Sequence, residues 1–374
     1  MIYQLGVFIA FFLSLLVLTK KGRNKADSIL GVWLIIIGLH FFGFYSLVSE
    51  IVYKYPFLMW LNLPYAFFHG PMLYLYTEAL TNPKRFKSKK WLLHFILPIL
   101  MTFSLLPIIL LSQNDRVMLY KNNGVGFENF LLFDWTIPLS VSGIFYIVIT
   151  NILLYKHKKR ILNQFSNQEK INLNWLRFLF YGMGVTWAII IFGGSDKWIF
   201  SVSSIFLIFI GYFGIKQIGI FTDQSIEFVE NDSIISIFNE NNSNELIIEK
   251  NKYAKSGLNG EFAKVLHEKL KYLMINEKLF TTPELTLTDL ASRMEVHPNY
   301  LSQVINELEG VSFYEYINNL RIEEFKRLVS IPNNQKYTLL SLAYDCGFNS
   351  KTAFNRVFKK VTDLSPSEYL KSIN

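Results

Sequence analysis

The sequence predicts an all-α protein: a seven-helix transmembrane bundle followed by a cytoplasmic, all-helical domain with two helix-turn-helix units. Three observations carry this expectation. Apolar stretches of about 20 residues, the length a helix needs to cross a bilayer, recur through the first 222 positions. Lysine and arginine crowd every second loop between them. Beyond position 260, apolar residues recur at helical spacing in short segments, and one arrangement of those segments appears twice.

The charge pattern supports the same division. The 374 residues include 37 Lys/Arg and 29 Asp/Glu, a net charge of +8. Residues 1–222 hold 20 basic and 8 acidic side chains, residues 223–260 hold 3 and 7, and residues 261–374 hold 14 and 14. The basic surplus therefore lies in the apolar part, which points to loops beside a membrane before it points to nucleic acid. A single cysteine, Cys346, excludes an intrachain disulfide and any multi-cysteine metal site, and suits a reducing compartment.

The expected spans are Ile2–Leu18, Ser28–Val48, Phe57–Leu80, Trp91–Ser112, Phe133–Tyr155, Trp175–Gly193 and Trp198–Phe221. Tyr3, Trp91, Trp135, Tyr155, Trp175 and Trp198 fall at span ends, the headgroup level that these side chains favour. The first span reads as an uncleaved helix, because no basic residue precedes it and Lys20, Lys21, Arg23 and Lys25 follow it. Lys84, Arg85, Lys87, Lys89 and Lys90 follow span three. Lys156, Lys158, Lys159, Arg160, Lys170 and Arg177 follow span five. The alternate loops hold only Lys54, then Arg116 and Lys121, then Lys197. By the positive-inside rule the N-terminus lies outside and, after an odd number of spans, the C-terminal domain lies in the cytoplasm. The localisation expected is thus the inner (cytoplasmic) membrane, multi-pass.

Residues 223–260 are acidic and asparagine-rich and read as a polar linker, with the apolar clusters Ile234–Phe238 and Leu246–Ile248 as short packed pieces. Residues 261–374 begin with an amphipathic helix near Phe262–Leu279, its apolar positions Phe262, Val265, Leu266, Leu270, Leu273 and Met274. Thr286 and Asp289 form a capping-box pattern for a helix ending at Met294. His297 at the cap and Pro298 at the first helical position open the next. This helix sets Leu301, Val304, Ile305 and Leu308 on one face and Asn299, Ser302, Gln303 and Asn306 on the other. A long helix, Ser312–Ser330, follows. The pattern then repeats: Thr338–Tyr344, a turn at Cys346-Gly347, and a helix capped by Ser350. That helix buries Phe354, Val357, Phe358 and Val361. Ser365-Pro366-Ser367-Glu368 is a full capping box opening a last helix.

Two stretches now carry a resemblance. LLSLAYDCGFNSKTAFNRVFKKVTDLSPSEYL, Leu339–Leu370, resembles the signature of the AraC/XylS family of bacterial transcription activators. TLTDLASRMEVHPNYLSQVIN, Thr286–Asn306, resembles the first helix-turn-helix of the same family. The seven-span front end is similar to a membrane-integral subgroup of such regulators, by architecture. The resemblance implies that Asn299, Ser302, Gln303 and Asn306 face bases from the first unit. Lys351, Thr352, Asn355 and Arg356 would do so from the second, with Lys359 and Lys360 at phosphates. Three positions depart from the family pattern: Glu295 and Asp363 stand where glycine is usual, and Leu370 replaces a common arginine.

The function expected is a membrane-bound, sequence-specific DNA-binding transcription regulator whose transmembrane bundle senses a signal. Its partners are double-stranded DNA and the lipid bilayer, with a small-molecule ligand and a homodimer left open. No catalytic constellation, cofactor motif or metal-ligand spacing is apparent, so an enzyme is not expected. Among the intramembrane polar residues His40, His69, His94, Glu78 and Asp134, His69 beside Gly70-Pro71 is placed to line a ligand cavity. The alternative is mutual satisfaction inside the bundle. The rival functions are a transporter with a regulatory helix-turn-helix tail and a membrane-anchored adaptor that binds only protein.

Overall fold

The computed structural model describes residues 2–60, 62–82, 89–121, 135–167, 174–192, 196–217 and 260–373. The linker before Gly260, the loop residues Lys84, Arg85, Lys87 and Lys170, and Asp134 lie outside the described residues. Every regular element described is helical, and strand pairing is limited to an isolated bridge between Phe165 and Thr286. The chain divides into two compact units, Met1–His157 with Leu173–Ser225, and Lys158–Asn172 with Ile226–Asn374.

In the first unit, α1 (Ile2–Leu18) coincides with the first expected span. Helix α2 (Lys25–Val48) starts ahead of Ser28 because Asn24 caps it. The Asn24 side chain accepts the Asp27 N–H at 2.8 Å, and the Asp27 carboxylate accepts the Asn24 N–H at 3.0 Å. Helix α3 (Asn62–Thr81) begins later than Phe57, after a 3-10 turn at Pro56–Leu58 and a left-handed Trp60 at φ 70°. It continues through Pro71.

The fourth expected span does not form one helix. A 3-10 stretch, Lys89–Phe95, leads into α4 (Ile96–Ser104), and a separate turn follows at Leu106–Ile109. The cause is proline chemistry, since Pro98 and Pro107 each lack an N–H and crowd the carbonyl four residues earlier. Those carbonyls belong to His94 and Phe103, next to the two breaks.

Helix α5 (Thr136–Gln164) runs beyond the expected end at Tyr155, and α6 (Asn174–Ile191) and α7 (Asp196–Gln217) follow. Among the described residues, Lys25–Val48 and Ile137–Gln164 are long and apolar enough to cross a bilayer by length and composition. Ile2–Leu18, Leu176–Ile189 and Trp198–Phe209 are shorter apolar helices.

Helix α2 is central. It packs against α1 and α3, and α7 packs against α1 and α6. Trp33, Leu34, Phe41, Leu73, Tyr76, Trp187 and Phe206 fill the shared core. The outer faces are apolar too: Phe8, Phe12 and Leu15 of α1, and Ile137, Val141, Ile144 and Val148 of α5, are exposed. A helix apolar all round requires an apolar surrounding on both sides. Inside this core the His40 Nδ1 lies 2.9 Å from the His69 Nε2, and the Trp33 Nε1–H donates to the His69 Nδ1 at 3.3 Å. The two imidazoles stack at 5.1 Å beside a cavity lined by Phe41, Met183, Trp187, Phe200 and Phe206.

The second unit holds two small cores joined by one helix. The first is built on α8 (Gly260–Tyr272), α9 (Leu287–Arg293) and α10 (Pro298–Val304). The second is built on α12 (Leu339–Asp345), α13 (Lys351–Thr362) and α14 (Pro366–Ile373). Helix α11 (Phe313–Val329) serves both. Phe313, Tyr316 and Ile317 enter the first core, while Tyr314, Ile322, Phe325 and Val329 enter the second.

Several side chains differ from the expected faces. Phe262 and Val265 are exposed, and α8 buries Ala263, Leu266 and Leu270 instead. Leu308 is 40 % exposed because the chain after α10 widens into a π turn, Ile305–Glu309, which shifts the phase of the helical face. Val361, in the last turn of α13, is also exposed.

Arg321 of α11 is 2 % exposed and lies between the two cores. Its Nε donates to the Phe280 carbonyl at 2.7 Å and its Nη2 to the Thr282 carbonyl at 2.8 Å. Its Nη1 donates to the Asn318 Oδ1 at 3.2 Å, and the guanidinium lies over the Phe348 ring at 5.7 Å. Burial draws its pKa down to about 10, so it remains a cation at neutral pH. Arg321→Leu should cost about 3 kcal/mol or more, because it strands the buried Phe280 carbonyl and the Asn318 amide oxygen and also removes the bond to the Thr282 carbonyl. Arg321→Lys should not restore the loss, since an ammonium lacks the planar fork. Hydrogen-exchange protection of α11 amides in the full chain would register both outcomes.

Candidate nucleic-acid interface

The two helix-turn-helix units are built from the same local parts. In the first, Thr286 caps α9: its Oγ1 accepts the Asp289 N–H at 3.1 Å, and the Asp289 carboxylate accepts the Thr286 N–H at 3.0 Å. In the second, Thr338 caps α12, its Oγ1 accepting the Ser341 N–H at 3.1 Å. The turns then correspond bond for bond. The Val296 N–H reaches the Ala291 carbonyl at 3.0 Å, and the Phe348 N–H reaches the Ala343 carbonyl at 3.1 Å. The Met294 N–H bonds the Leu290 carbonyl at 3.0 Å, and the Cys346 N–H bonds the Leu342 carbonyl at 3.2 Å.

Each turn needs one left-handed residue. In the second unit it is Gly347, at φ 93°, where an added Cβ would lie 2.6 Å from the Thr281 carbonyl oxygen and 2.8 Å from that of Phe280. In the first it is Glu295, at φ 58°. The turn there is as tight as in the glycine-bearing unit, so Glu295 carries left-handed strain without loosening the geometry. Asp363, at φ 60°, ends α13 in the same conformation.

The helices after these turns present the expected residues as follows. In α10, capped by the His297 Nδ1 accepting the Asn299 N–H at 3.1 Å, Leu301 and Val304 are buried. Asn299 and Asn306 are exposed, and Ser302 and Gln303 are half-buried. Asn306 lies in the π turn beyond α10 and donates to the Ser302 carbonyl at 2.6 Å, and Gln303 donates to the Glu307 carboxylate at 3.2 Å. In α13, capped by the Ser350 Oγ, Lys351, Thr352, Asn355, Arg356, Lys359 and Lys360 are all exposed. The opposite face is locked by the rings of Phe354 and Phe358, 4.7 Å and 5.5 Å from Phe325.

Two of the basic groups have partners. The Lys360 Nζ donates to Glu315 at 2.7 Å, and this ammonium holds the Glu315 carboxyl below its usual range. Arg356 reaches the Tyr314 hydroxyl at 3.5 Å. Cys346, fully buried in the second core, has its thiol pushed up to about 12 by burial and is no nucleophile at neutral pH. Among the described residues, no group of three or more His, Cys, Asp or Glu could hold a metal ion.

Sequence reasoning missed Arg321 and Asn318, which tie the units together. The signal was present: Ile317, Arg321 and Phe325 are spaced by four, so the arginine stands on the buried stripe of α11.

Residues 290–372 match the family model described as a helix-turn-helix domain. The HTH-type transcriptional regulator YijO of Escherichia coli (strain K12) is 35 % identical over 85 residues, 23 % of this chain and 29 % of that protein. The HTH-type transcriptional regulator YisR of Bacillus subtilis (strain 168) is 31 % identical over 111 residues, 30 % of this chain and 36 % of the relative. The melibiose operon regulatory protein of Escherichia coli (strain K12) is 28 % identical over 87 residues, 23 % of this chain and 28 % of the relative. The chain thus spans about a third of the length of these curated relatives. No solved structure matches it significantly. The chain carries an AraC-type helix-turn-helix domain, and the relatives it matches are transcriptional regulators.

The turn geometry generates opposite expectations at three positions. Glu295→Gly and Asp363→Gly should each stabilise the C-terminal unit by about 0.5–1 kcal/mol by relieving left-handed strain. Gly347→Ala should cost about 1–3 kcal/mol, because its Cβ meets backbone oxygen. Denaturant midpoints of the three variants would check the signs.

Proposed function

We propose that this chain is a membrane-embedded, sequence-specific DNA-binding transcription regulator of the AraC/XylS type. The observation that carries the reading is the pair of matched helix-turn-helix turns, each followed by a helix with one locked apolar face and one exposed polar face. Such a helix fits a major groove, where Asn and Gln pair with adenine and Arg pairs with guanine. Asn299, Ser302, Gln303 and Asn306 read bases from the first unit, and Lys351, Thr352, Asn355 and Arg356 from the second. Lys359 and Lys360 approach phosphates, the latter after leaving Glu315.

The membrane half of the reading rests on seven apolar stretches, the alternation of basic loops and the apolar outer faces of α1 and α5. It gives the inner membrane, an external N-terminus and a cytoplasmic DNA-binding unit. The bundle senses a signal, and the cavity beside the His40–His69 pair is the candidate ligand site, its polar groups set in an aromatic wall.

Selection of duplexes from a random pool on the full chain tests the DNA reading, and failure to enrich any sequence at low salt would sink it. On an enriched duplex, Arg356→Ala should cost about 1–3 kcal/mol and relax preference at one base position. Lys359→Ala should weaken all sequences alike and reduce the salt slope by about 1. For topology, single cysteines replacing Lys54 or Lys121 should react with an impermeant maleimide in intact cells. Cysteines replacing Lys21 or Lys159 should react only after permeabilisation. The reverse pattern would overturn the orientation.

A further inference from the structure

The second unit includes a short segment from far upstream in the chain, residues 158–172, of which Lys158–Asn167 are described. It is the C-terminal end of α5 followed by Phe165, Ser166 and Asn167. Ser166 is 2 % exposed. Its N–H and its hydroxyl both donate to the Leu285 carbonyl, at 3.2 and 2.6 Å. Its own carbonyl accepts from the Asn318 amide at 2.9 Å, and its Oγ accepts from the Arg321 Nη2 at 3.4 Å. Phe165 forms the bridge to Thr286, the cap of α9. Asn167 donates to the Asn349 Oδ1 at 3.0 Å, one residue before the cap of α13, and Leu162 packs on the second core.

This segment is therefore anchored to both helix-turn-helix units and to the buried polar pair that joins them. Its position bears on DNA access. Arg160, Asn163, Gln164 and Phe165 line one cleft with His297, Asn299 and Ser302, at the N-terminal end of α10. That end is where a recognition helix meets base edges. The major groove is about 12 Å wide and accepts one helix. The end of α5 borders the same cleft as Asn299 and Ser302, in space that a groove wall would have to take.

We propose that residues 158–167 are an autoinhibitory strap: docked, they flank the N-terminal end of the first reading helix and obstruct its entry into a groove, and released, they clear it. This rests on the DNA-binding reading above. The strap is held by the hydrogen bonds of Ser166 and Asn167 and by packing that includes Leu162, contacts that a ligand or DNA with differential affinity for the two states can shift. Because the strap continues α5, a displacement of that helix has a covalent route to the DNA-reading surface.

The experiment uses the full chain in lipid nanodiscs, with duplexes enriched on it from a random pool. Asn167→Cys with Asn349→Cys, joined by a short reversible bis-methanethiosulfonate linker, should crosslink efficiently. The joined protein should bind the duplex at least about tenfold more weakly than the same sample after reduction, the change that about 1.4 kcal/mol of masking gives. Ser166→Trp, which cannot fit the buried seat, should bind more tightly than the parent. Failure to crosslink would show that the strap does not dock. Unchanged or tighter binding in the joined form would show that it belongs to the DNA surface. Either result overturns the strap and leaves the DNA reading standing. Absence of binding in the joined, reduced and Ser166→Trp forms alike would remove both.

Discussion

The fold of the C-terminal unit depends on one buried cation. A guanidinium out of water is costly unless its donors are all met, and Arg321 meets them with backbone carbonyls of Phe280 and Thr282 and the amide of Asn318. Those carbonyls belong to the chain between α8 and α9, whereas the arginine belongs to α11. The Phe280 and Thr281 carbonyls also form the wall that only a glycine at 347 can approach. One polar knot thus fixes the entry to the first helix-turn-helix unit, the turn of the second and the helix between them.

What was legible in the sequence was what is local. Thr286 with Asp289, His297 with Pro298, Ser350, and Ser365 with Glu368 announce helix starts because a cap is satisfied within three residues of itself. The exposed residues of α13 were legible for the same reason, since the spacing of Phe354, Val357 and Phe358 fixes the opposite face. Leu308 was misplaced because a π turn breaks the period on which face assignment relies. Arg321 was passed over because a charged residue in an amphipathic helix is ordinarily solvated. The seat of Ser166 had no local signature at all: its partner Leu285 is 119 positions away.

In the first unit the overall hydropathy was informative and the helix breaks were not read from it. The fourth stretch is predominantly apolar, yet Pro98 and Pro107 divide it. The matched relatives bear only on the C-terminal domain. The membrane reading therefore stands on charge alternation and on the apolar character of exposed α1 and α5. His69, for which the sequence offers cavity lining and mutual satisfaction as alternatives, has both features: its ring bonds that of His40 and borders a cavity.

Helix α11 gives its first two turns mainly to one core and its later turns to the other, and an α-helix is a rigid screw. Its 17 residues span about 25 Å at about 1.5 Å each. The two small domains are therefore mounted on one threaded rod. Deleting a single residue from its middle would both shorten the gap and swivel one domain against the other by about 100°. Changing the separation of the two small domains while keeping their relative orientation therefore takes whole turns of this helix.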